Sequence, residues 1–256
     1  MIQLIFLGTG TSQGIPVIGS TNPVCLSSNT KDKRLRSSVL LSWNNKNYVI
    51  DCGPDFRQQI LNNQIKTLDG ILFTHSHADH TAGFDDIRPF YFRQGLIDIY
   101  STSAVLKNLK KRFDYIIDDK NKYPGAPSVK SNIFKENKKF ELSDKWVVPI
   151  KAMHNDIPVT GFRIENIAYM TDIKFIDSKS KSKLRNLDIL VLNCLRIETH
   201  QSHLNLEEAI ELVNELKPKK AYFTHISNLL GLHDEVSKKL PKNIYLAYDN
   251  LCLKCK

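Results

Sequence analysis

The chain has 256 residues, with 36 Lys and Arg against 27 Asp and Glu, a formal net charge of +9. A hydrophobic share of 41% and a charged share of 25% are those of an ordinary globular protein, which excludes a disordered tail, a collagen and a coiled coil. No apolar run approaches the roughly 20 residues of a membrane span, and the Ile2–Leu7 run is too short for a leader core, so a cytoplasmic location with no membrane partner is expected.

The elements read as follows in chain order. Gln3–Leu7 is a strand ending in Gly8-Thr9-Gly10, a backbone-permissive turn. Val39–Trp43 and Tyr48–Asp51 form a hairpin around Asn44–Asn47. Pro54–Asn63 has helical spacing, with Phe56, Ile60 and Leu61 on one face. Gly70–Thr74 is an apolar strand, and Ile97–Ser101 is another. Ser103–Phe113 is an amphipathic helix capped by Ser103, with Leu106 and Leu109 inward. In the second half, Lys145–Ile150, Thr160–Ile164, Asn166–Thr171 and Leu187–Asn193 are strands. Leu204–Leu216 is a helix with Leu206, Ala209, Ile210 and Val213 as its face, stopped by Pro218. Lys220–Thr224 is a strand, a helix lies around Leu232–Leu240, and a last strand lies near Ile244–Ala247. The two halves look like two β-then-helix units, which suggests an α/β fold of two sheets packed between outer helices. No Pro-, Gly- or Ser-rich linker divides the chain, so a single domain over residues 1–256 is expected.

The strongest chemical signal is Thr74-His75-Ser76-His77-Ala78-Asp79-His80, directly after an apolar strand. In an extended segment alternate side chains share a face, so His75 and His77 point into one pocket. Asp79 and His80 fall where the chain turns into a helix and reach a second point beside it. Three more candidates sit just past strands: His154, Asp172 and His225. One such residue alone is an ordinary loop residue. Three of them, together with the cluster, argue against a disordered surface group of histidines. Imidazole and carboxylate suit Zn, Mn, Fe or Ni. Two metals about 3.5–4 Å apart are a known arrangement for phosphate-ester hydrolysis.

These residues, in this order, resemble the metallo-β-lactamase superfamily, over nearly the whole chain. The resemblance implies a four-layer αβ/βα sandwich with a dinuclear site at one edge. By it, His75, His77 and His154 would hold one metal, Asp79, His80 and His225 the other, and Asp172 would bridge them. Gly8–Pro16, Ile50-Asp51-Cys52-Gly53 and Ser202-His203-Leu204-Asn205-Leu206 are similar to the phosphodiesterase branch, nearest the cyclic-phosphate phosphodiesterase of phosphonate degradation. The tRNA 3′-processing nuclease is a more distant cousin. In that phosphodiesterase a histidine matching His203 helps protonate the leaving group, while a metal-bridging hydroxide attacks phosphorus. Catalysis is therefore expected at Asp79 and His203. With an ordinary pKa near 6.5, His203 is suited to donate a proton near neutral pH. The other view of His203 is a cap-like residue before the Leu204–Leu216 helix. Asp51 is expected to fix a ligand imidazole from behind. His200 and His233 have no match and read as surface or capping residues.

One departure is visible. Such relatives often carry a separate structural zinc on Cys-x-Cys-x-x-Cys plus a later His, where this chain has Ser20, Asn22, Cys25 and Asn228. A closed zinc site needs four such ligands, so this extra zinc is expected to be absent and the Ile15–Lys33 loop to be held by packing or mobile. Five widely spaced cysteines make no disulfide framework. Cys252 and Cys255 read as ordinary thiols rather than as a half-site joining Cys25, and Cys52 and Cys194 read as small core residues. The expected reaction is hydrolysis of a small phosphodiester, cyclic ones included, by two divalent ions, Zn or Mn before Fe or Ni. The alternatives are a nuclease on RNA or DNA, and thioester or lactam hydrolysis. A nuclease would need a basic, aromatic-bearing arm, and only the Lys-rich Asp114–Lys139 segment, with Tyr115, Tyr123 and Phe134, offers a lid or contact surface. The excess charge reads as a solvated lysine-rich surface before it reads as a field for anions. A homodimer is implied by the resemblance alone.

Overall fold

A computed structural model describes residues 1–136 and 138–255. Two seven-stranded sheets face one another. The first runs β14-β1-β2-β3-β4-β5-β6 and the second β13-β12-β11-β10-β9-β8-β7. The first holds β1 (Ile2–Gly8), β2 (Ser38–Trp43), β3 (Lys46–Ile50), β4 (Gly70–Leu72), β5 (Ile97–Ser101), β6 (Val129–Ile133) and β14 (Cys252–Cys255). The second holds β7 (Phe140–Leu142), β8 (Lys145–His154), β9 (Ile157–Ile164), β10 (Ile167–Met170), β11 (Ile189–Asn193), β12 (Lys220–Thr224) and β13 (Ile244–Leu246).

Strand alternation explains the layers. Leu4 and Phe6 of β1 face the second sheet and meet a core that includes Phe162, Tyr169 and Val191. Leu7 faces the other way, onto a core with Phe56, Ile60, Phe84 and Leu109 from the outer helices. The second sheet is covered on its outer face by Ala209, Leu212, Val213 and Leu216 of the Leu206–Leu216 helix. The result is the four-layer αβ/βα sandwich.

Several expectations need correction. The β2–β3 connection is only Asn44-Asn45, both with positive φ, which is the tight turn that Asn tolerates. The Ser103–Arg112 helix is capped by Thr102, whose side chain accepts from the Val105 N–H; Ser103 is its first helical residue. Leu61 is 54% exposed, because the Phe56–Asn62 helix turns only Phe56 and Ile60 inward with Gln59. The second long helix begins at Leu206, where Asn205 and Glu208 complete a capping box. β8 is longer than expected and ends on His154 itself, not before it.

His233 is neither a surface residue nor a cap. It is buried, is the first residue of the His233–Ser237 helix, and its Nδ1 lies 3.1 Å from Arg34 Nη2. Arg34, also buried, donates to Thr9 Oγ1 and to the Ala247 carbonyl. The Ile15–Lys33 loop is held: Asp32 accepts the His233 backbone N–H at 2.7 Å and the Ser27 hydroxyl at 2.6 Å. Lys33 Nζ donates to the Cys25 carbonyl. Cys25 itself packs with Ile15 and Val24, whereas Cys252 and Cys255 lie on β14 paired with β1. Among the described residues these three thiols enter no group of metal-capable side chains.

Candidate metal centre

The site forms where the strands of both sheets end. β3 and β4 are parallel neighbours in the first sheet, as are β10, β11 and β12 in the second, so their carboxyl ends open on one edge. Asp51 follows β3, and the His75–His80 turn follows β4. His154 ends β8, Asp172 comes two residues after β10, and His225 follows β12 directly. The Thr160 N–H donates to the Thr74 carbonyl at 3.0 Å and ties the two sheets beside the site.

Three site residues, Asp51, Asp172 and His225, have φ between +54° and +64°. For non-glycine residues this left-handed conformation is costly, about 1–3 kcal/mol each, and it clusters where function over-determines the backbone. Here it reverses the chain straight out of each strand and throws the side chain into the common pocket. Gly53 allows the approach on the other side: a Cβ there would lie 1.9 Å from the Asp79 carbonyl oxygen. The Cys52 N–H donates to the His80 carbonyl at 2.9 Å across this contact.

The expected residues converge. The rings of His75, His77 and His154 form a triangle with centroids 4.6 Å (75 to 77), 5.3 Å (77 to 154) and 5.9 Å (75 to 154) apart. Ligand atoms of Asp79, His80, Asp172 and His225 all lie within 4.8 Å of one another, as do those of His154, Asp172 and His203. Asp172 belongs to both groups. Its Oδ2 is 3.2 Å from His80 Nε2 and its Oδ1 is 2.9 Å from His225 Nε2. His75 Nε2, His80 Nε2 and His225 Nε2 are buried with no hydrogen-bond partner, which suits them as ligand atoms. The donor set, imidazole and carboxylate only, fits divalent transition ions.

Residues 46–226 match the model of the beta-lactamase superfamily domain. The chain belongs to the metallo-β-lactamase superfamily. The crystal structure of a diphosphatase from the PhnP family superposes with a TM-score of 0.93 at 37% identity, covering 100% of this chain and 98% of that one, and places the chain in that family. A protein named octanoyltransferase, from Porphyromonas gingivalis, is 36% identical over 252 residues, covering 98% of this chain and 51% of its own length. Ribonuclease Z of Clostridium novyi is 25% identical over 198 residues, covering 74% of this chain and 56% of its own. The chain thus spans about half the length of these two curated relatives.

In this member of the superfamily the ligand-bearing imidazoles are fixed from behind. Asp51, fully buried, accepts from His80 Nδ1 at 2.7 Å, from the Thr74 hydroxyl at 2.7 Å and from the Thr74 N–H at 2.9 Å. This turns His80 Nε2 toward Asp79 and Asp172. His154 Nδ1 is 2.8 Å from the Ser202 carbonyl, so it carries the proton and leaves Nε2 free. The Thr171 hydroxyl donates to Asp172 at 2.5 Å. Asn193, at the end of β11, grips both the N–H and the carbonyl of Ile173 and so holds the turn after Asp172. The roles of Thr74, Thr171, Ser202 and Asn193 were not read from the sequence, although Thr74 and Ser202 lie in the quoted motifs and Asn193 is a polar residue closing an otherwise apolar strand.

The electrostatics are those of a site that attracts positive charge. Burial alone would push the Asp172 carboxyl up, but the His225 and His80 imidazoles hold it well below the usual range. Asp79 is likewise held low, its burial outweighed by His80 and His225. Burial keeps His75 and His77 below their ordinary value, in the neutral form a ligand needs. His203 departs from the expectation of an ordinary imidazole: burial, then His225, push it down to about 3. Its Nδ1 is 3.8 Å from Asp172 Oδ1, and its ring centroid is 4.3 Å from that of His154. His200, read as a surface or capping residue, is half-buried with its ring 5.2 Å from that of His203. No helix among the described residues is long and apolar enough to cross a membrane.

Proposed function

We propose that the protein is a metal-dependent hydrolase of a small phosphoric ester, with a phosphodiester or a substituted diphosphate as substrate. The observation that carries this reading is the place of Asp172 in both groups of ligand atoms, one with Asp79, His80 and His225 and the other with His154 and His203. His75, His77, His154 and Asp172 would hold one divalent cation, and Asp79, His80, His225 and Asp172 the other. A cation pair at these ligands supplies charge neutralisation and a water whose pKa falls from 15.7 to about 7.

The chain's own residues do the rest. Asp51, the Thr74 hydroxyl and the Ser202 carbonyl keep three imidazoles, those of His80, His75 and His154, in the ligating tautomer. His203 stands where a leaving oxygen would need a proton. Its burial and its neighbour His225 favour the neutral ring, and a bound phosphoryl anion works against both effects. A positioned general acid of this kind contributes typically about 10²–10⁴-fold.

Two names among the relatives support phosphate chemistry: diphosphatase, for the PhnP-family structure, and ribonuclease Z. A nuclease needs a free basic and aromatic surface. In the Asp114–Lys139 segment Phe134 is buried, Tyr115 donates to Asp85, and Tyr123, though 47% exposed, lies under Arg88. Acyl transfer through a covalent intermediate calls for an activated nucleophile. The thiol nearest the cluster in sequence, Cys52, is fully buried, and burial pushes its pKa well up. The test is hydrolysis of bis(p-nitrophenyl) phosphate by protein loaded with Zn or Mn. Metal-dependent release of nitrophenol is expected. Its absence from protein shown by elemental analysis to carry metal would overturn the reading.

A further inference from the structure

His75, His80 and His154 each have a polar group behind the ring at Nδ1, from Thr74, Asp51 and Ser202. His225 has none. Its Nδ1 is buried without a hydrogen-bond partner among the described residues, while its Nε2 lies 2.9 Å from Asp172 Oδ1. No polar partner turns this ring from behind, so its direction falls to the backbone. That backbone is left-handed at His225, with φ at 55°. A non-glycine residue holds such a conformation only where its surroundings impose it.

The surroundings are specific. On one side of His225, Thr224 closes β12 against Asn193 of β11. On the other, both backbone groups of Ile226 are taken by the turn after β1. The Ile226 N–H donates to the Thr9 carbonyl at 2.9 Å, and the Ile226 carbonyl accepts from the Thr11 N–H at 3.0 Å. Thr9 is fully buried. Its hydroxyl donates to Asp249 Oδ1 at 2.7 Å and accepts from Arg34 Nη1 at 2.7 Å. Asp249 Oδ2 accepts the Leu35 N–H at 2.7 Å, and the Leu35 carbonyl accepts the Gly10 N–H at 2.8 Å. Arg34, buried, is itself anchored on the Ala247 carbonyl. Three distant parts of the chain thus meet on one hydroxyl, and no role assigned so far uses them.

We propose that Thr9, fixed by Arg34 and Asp249, is the positioning residue for His225. Its hydroxyl pins the turn, its carbonyl pins Ile226, and Ile226 holds the left-handed backbone that aims the His225 ring at Asp172. Thr9 itself touches neither ion nor substrate. The role rests on the ligand assignment of the metal centre, and it gives a use to the Gly8-Thr9-Gly10 turn. Thr9→Val keeps the side chain's shape and removes the hydroxyl. It leaves Asp249 Oδ1 without that donor and Arg34 Nη1 with the Ala247 carbonyl alone. Thr9→Ser keeps both hydrogen bonds.

The test measures zinc affinity by chelator competition, resolved into two equivalents, together with hydrogen exchange of the Ile226 amide in metal-free protein. In Thr9→Val the equivalent assigned to Asp79, His80 and His225 should weaken by about tenfold, and the one assigned to His75, His77 and His154 should stay within about twofold. The Ile226 amide should exchange at least about tenfold faster. Thr9→Ser should restore all three values to within about threefold of the wild type. Should Thr9→Val fail to fold, Asp249→Asn is judged by the same split, because an amide offers one acceptor where the carboxylate serves both Thr9 and Leu35. A folded variant with both equivalents unchanged would refute the role, and so would an equal fall in both, which marks general loosening of the fold. Wild-type protein that binds no zinc would sink the metal centre and this role together. Wild-type protein that binds both equivalents but hydrolyses no phosphoester would sink the proposed reaction alone, and the affinity split would still decide for or against Thr9.

Discussion

Asp51→Asn changes one oxygen of a buried carboxylate and reverses the hydrogen-bond logic behind His80. In the wild type one oxygen accepts from the Thr74 N–H at 2.9 Å, and the other accepts from His80 Nδ1 and the Thr74 hydroxyl, both at 2.7 Å. An amide keeps only one acceptor oxygen. If that oxygen stays on the Thr74 N–H, the NH₂ group meets His80 Nδ1, which must then give up its proton. The proton moves to Nε2, the atom 3.1 Å from Asp79 and 3.2 Å from Asp172, and blocks it as a ligand. If the amide turns the other way, the Thr74 N–H is left buried and unpaired, at about 1–3 kcal/mol. The φ of +64° at Asp51 is one Asn adopts as readily as Asp, so the backbone adds little. Loss of such an orienting partner lowers metal affinity by about 10–100-fold, which is about 1.4–2.7 kcal/mol. Competition for zinc with a chromophoric chelator, resolved into two equivalents, measures this. The equivalent assigned to Asp79, His80 and His225 should weaken, and the one assigned to His75, His77 and His154 should hold. Two affinities within about twofold of the wild type would refute the assignment of Asp51.

Three further outcomes are expected. His203→Ala should leave two metals by elemental analysis and slow turnover by about 10²–10⁴-fold; loss of a metal would make His203 a ligand instead. Gly53→Ala brings a methyl group to 1.9 Å from the Asp79 carbonyl oxygen, so it should cost about 1–3 kcal/mol in chemical denaturation and weaken metal retention. His233 is held down to about 4 by burial and then by Arg34, below its ordinary 6.5. The unfolded chain therefore binds more protons between those values, and stability is full above pH 6.5 and lost as pH falls toward 4. With solvent screening allowed for, the loss is about 1–2 kcal/mol. The stability of His233→Gln should be correspondingly flatter over that window, and an unchanged slope in denaturant titrations would contradict the role of burial.

The candidate ligands could be picked out because their signal is local. His75, His77, Asp79 and His80 sit together after an apolar strand, and Asp172 and His225 each follow one. What the sequence hid depends on partners far along the chain. His233 is buried because Arg34, 199 positions away, lies against it. β14, of four residues, exists as a strand because β1 is there to pair with it. β6 has no fully buried residue, so its edge position left no alternating apolar pattern to read. The three-residue spacing of Asn205 and Glu208 became a capping box only once the helix start was known. His203 misled for the same reason: an ordinary pKa presumes solvent, and the packing of His154 and His225 around the ring removes it.

Each proposed cation position draws on both sheets: His75 and His77 come from the loop after β4 and His154 from the end of β8, while Asp79 and His80 stand opposite Asp172 and His225. An ion held there would act as a cross-link between the two halves of the sandwich, and prising the sheets apart would have to expel it. Because neither half alone offers a complete set, such an ion would bind only the assembled fold. Free metal at 100 times its dissociation constant would then add about 2.7 kcal/mol per site to the stability of the sandwich. Chelation would loosen the seam between the sheets as well as stop the chemistry.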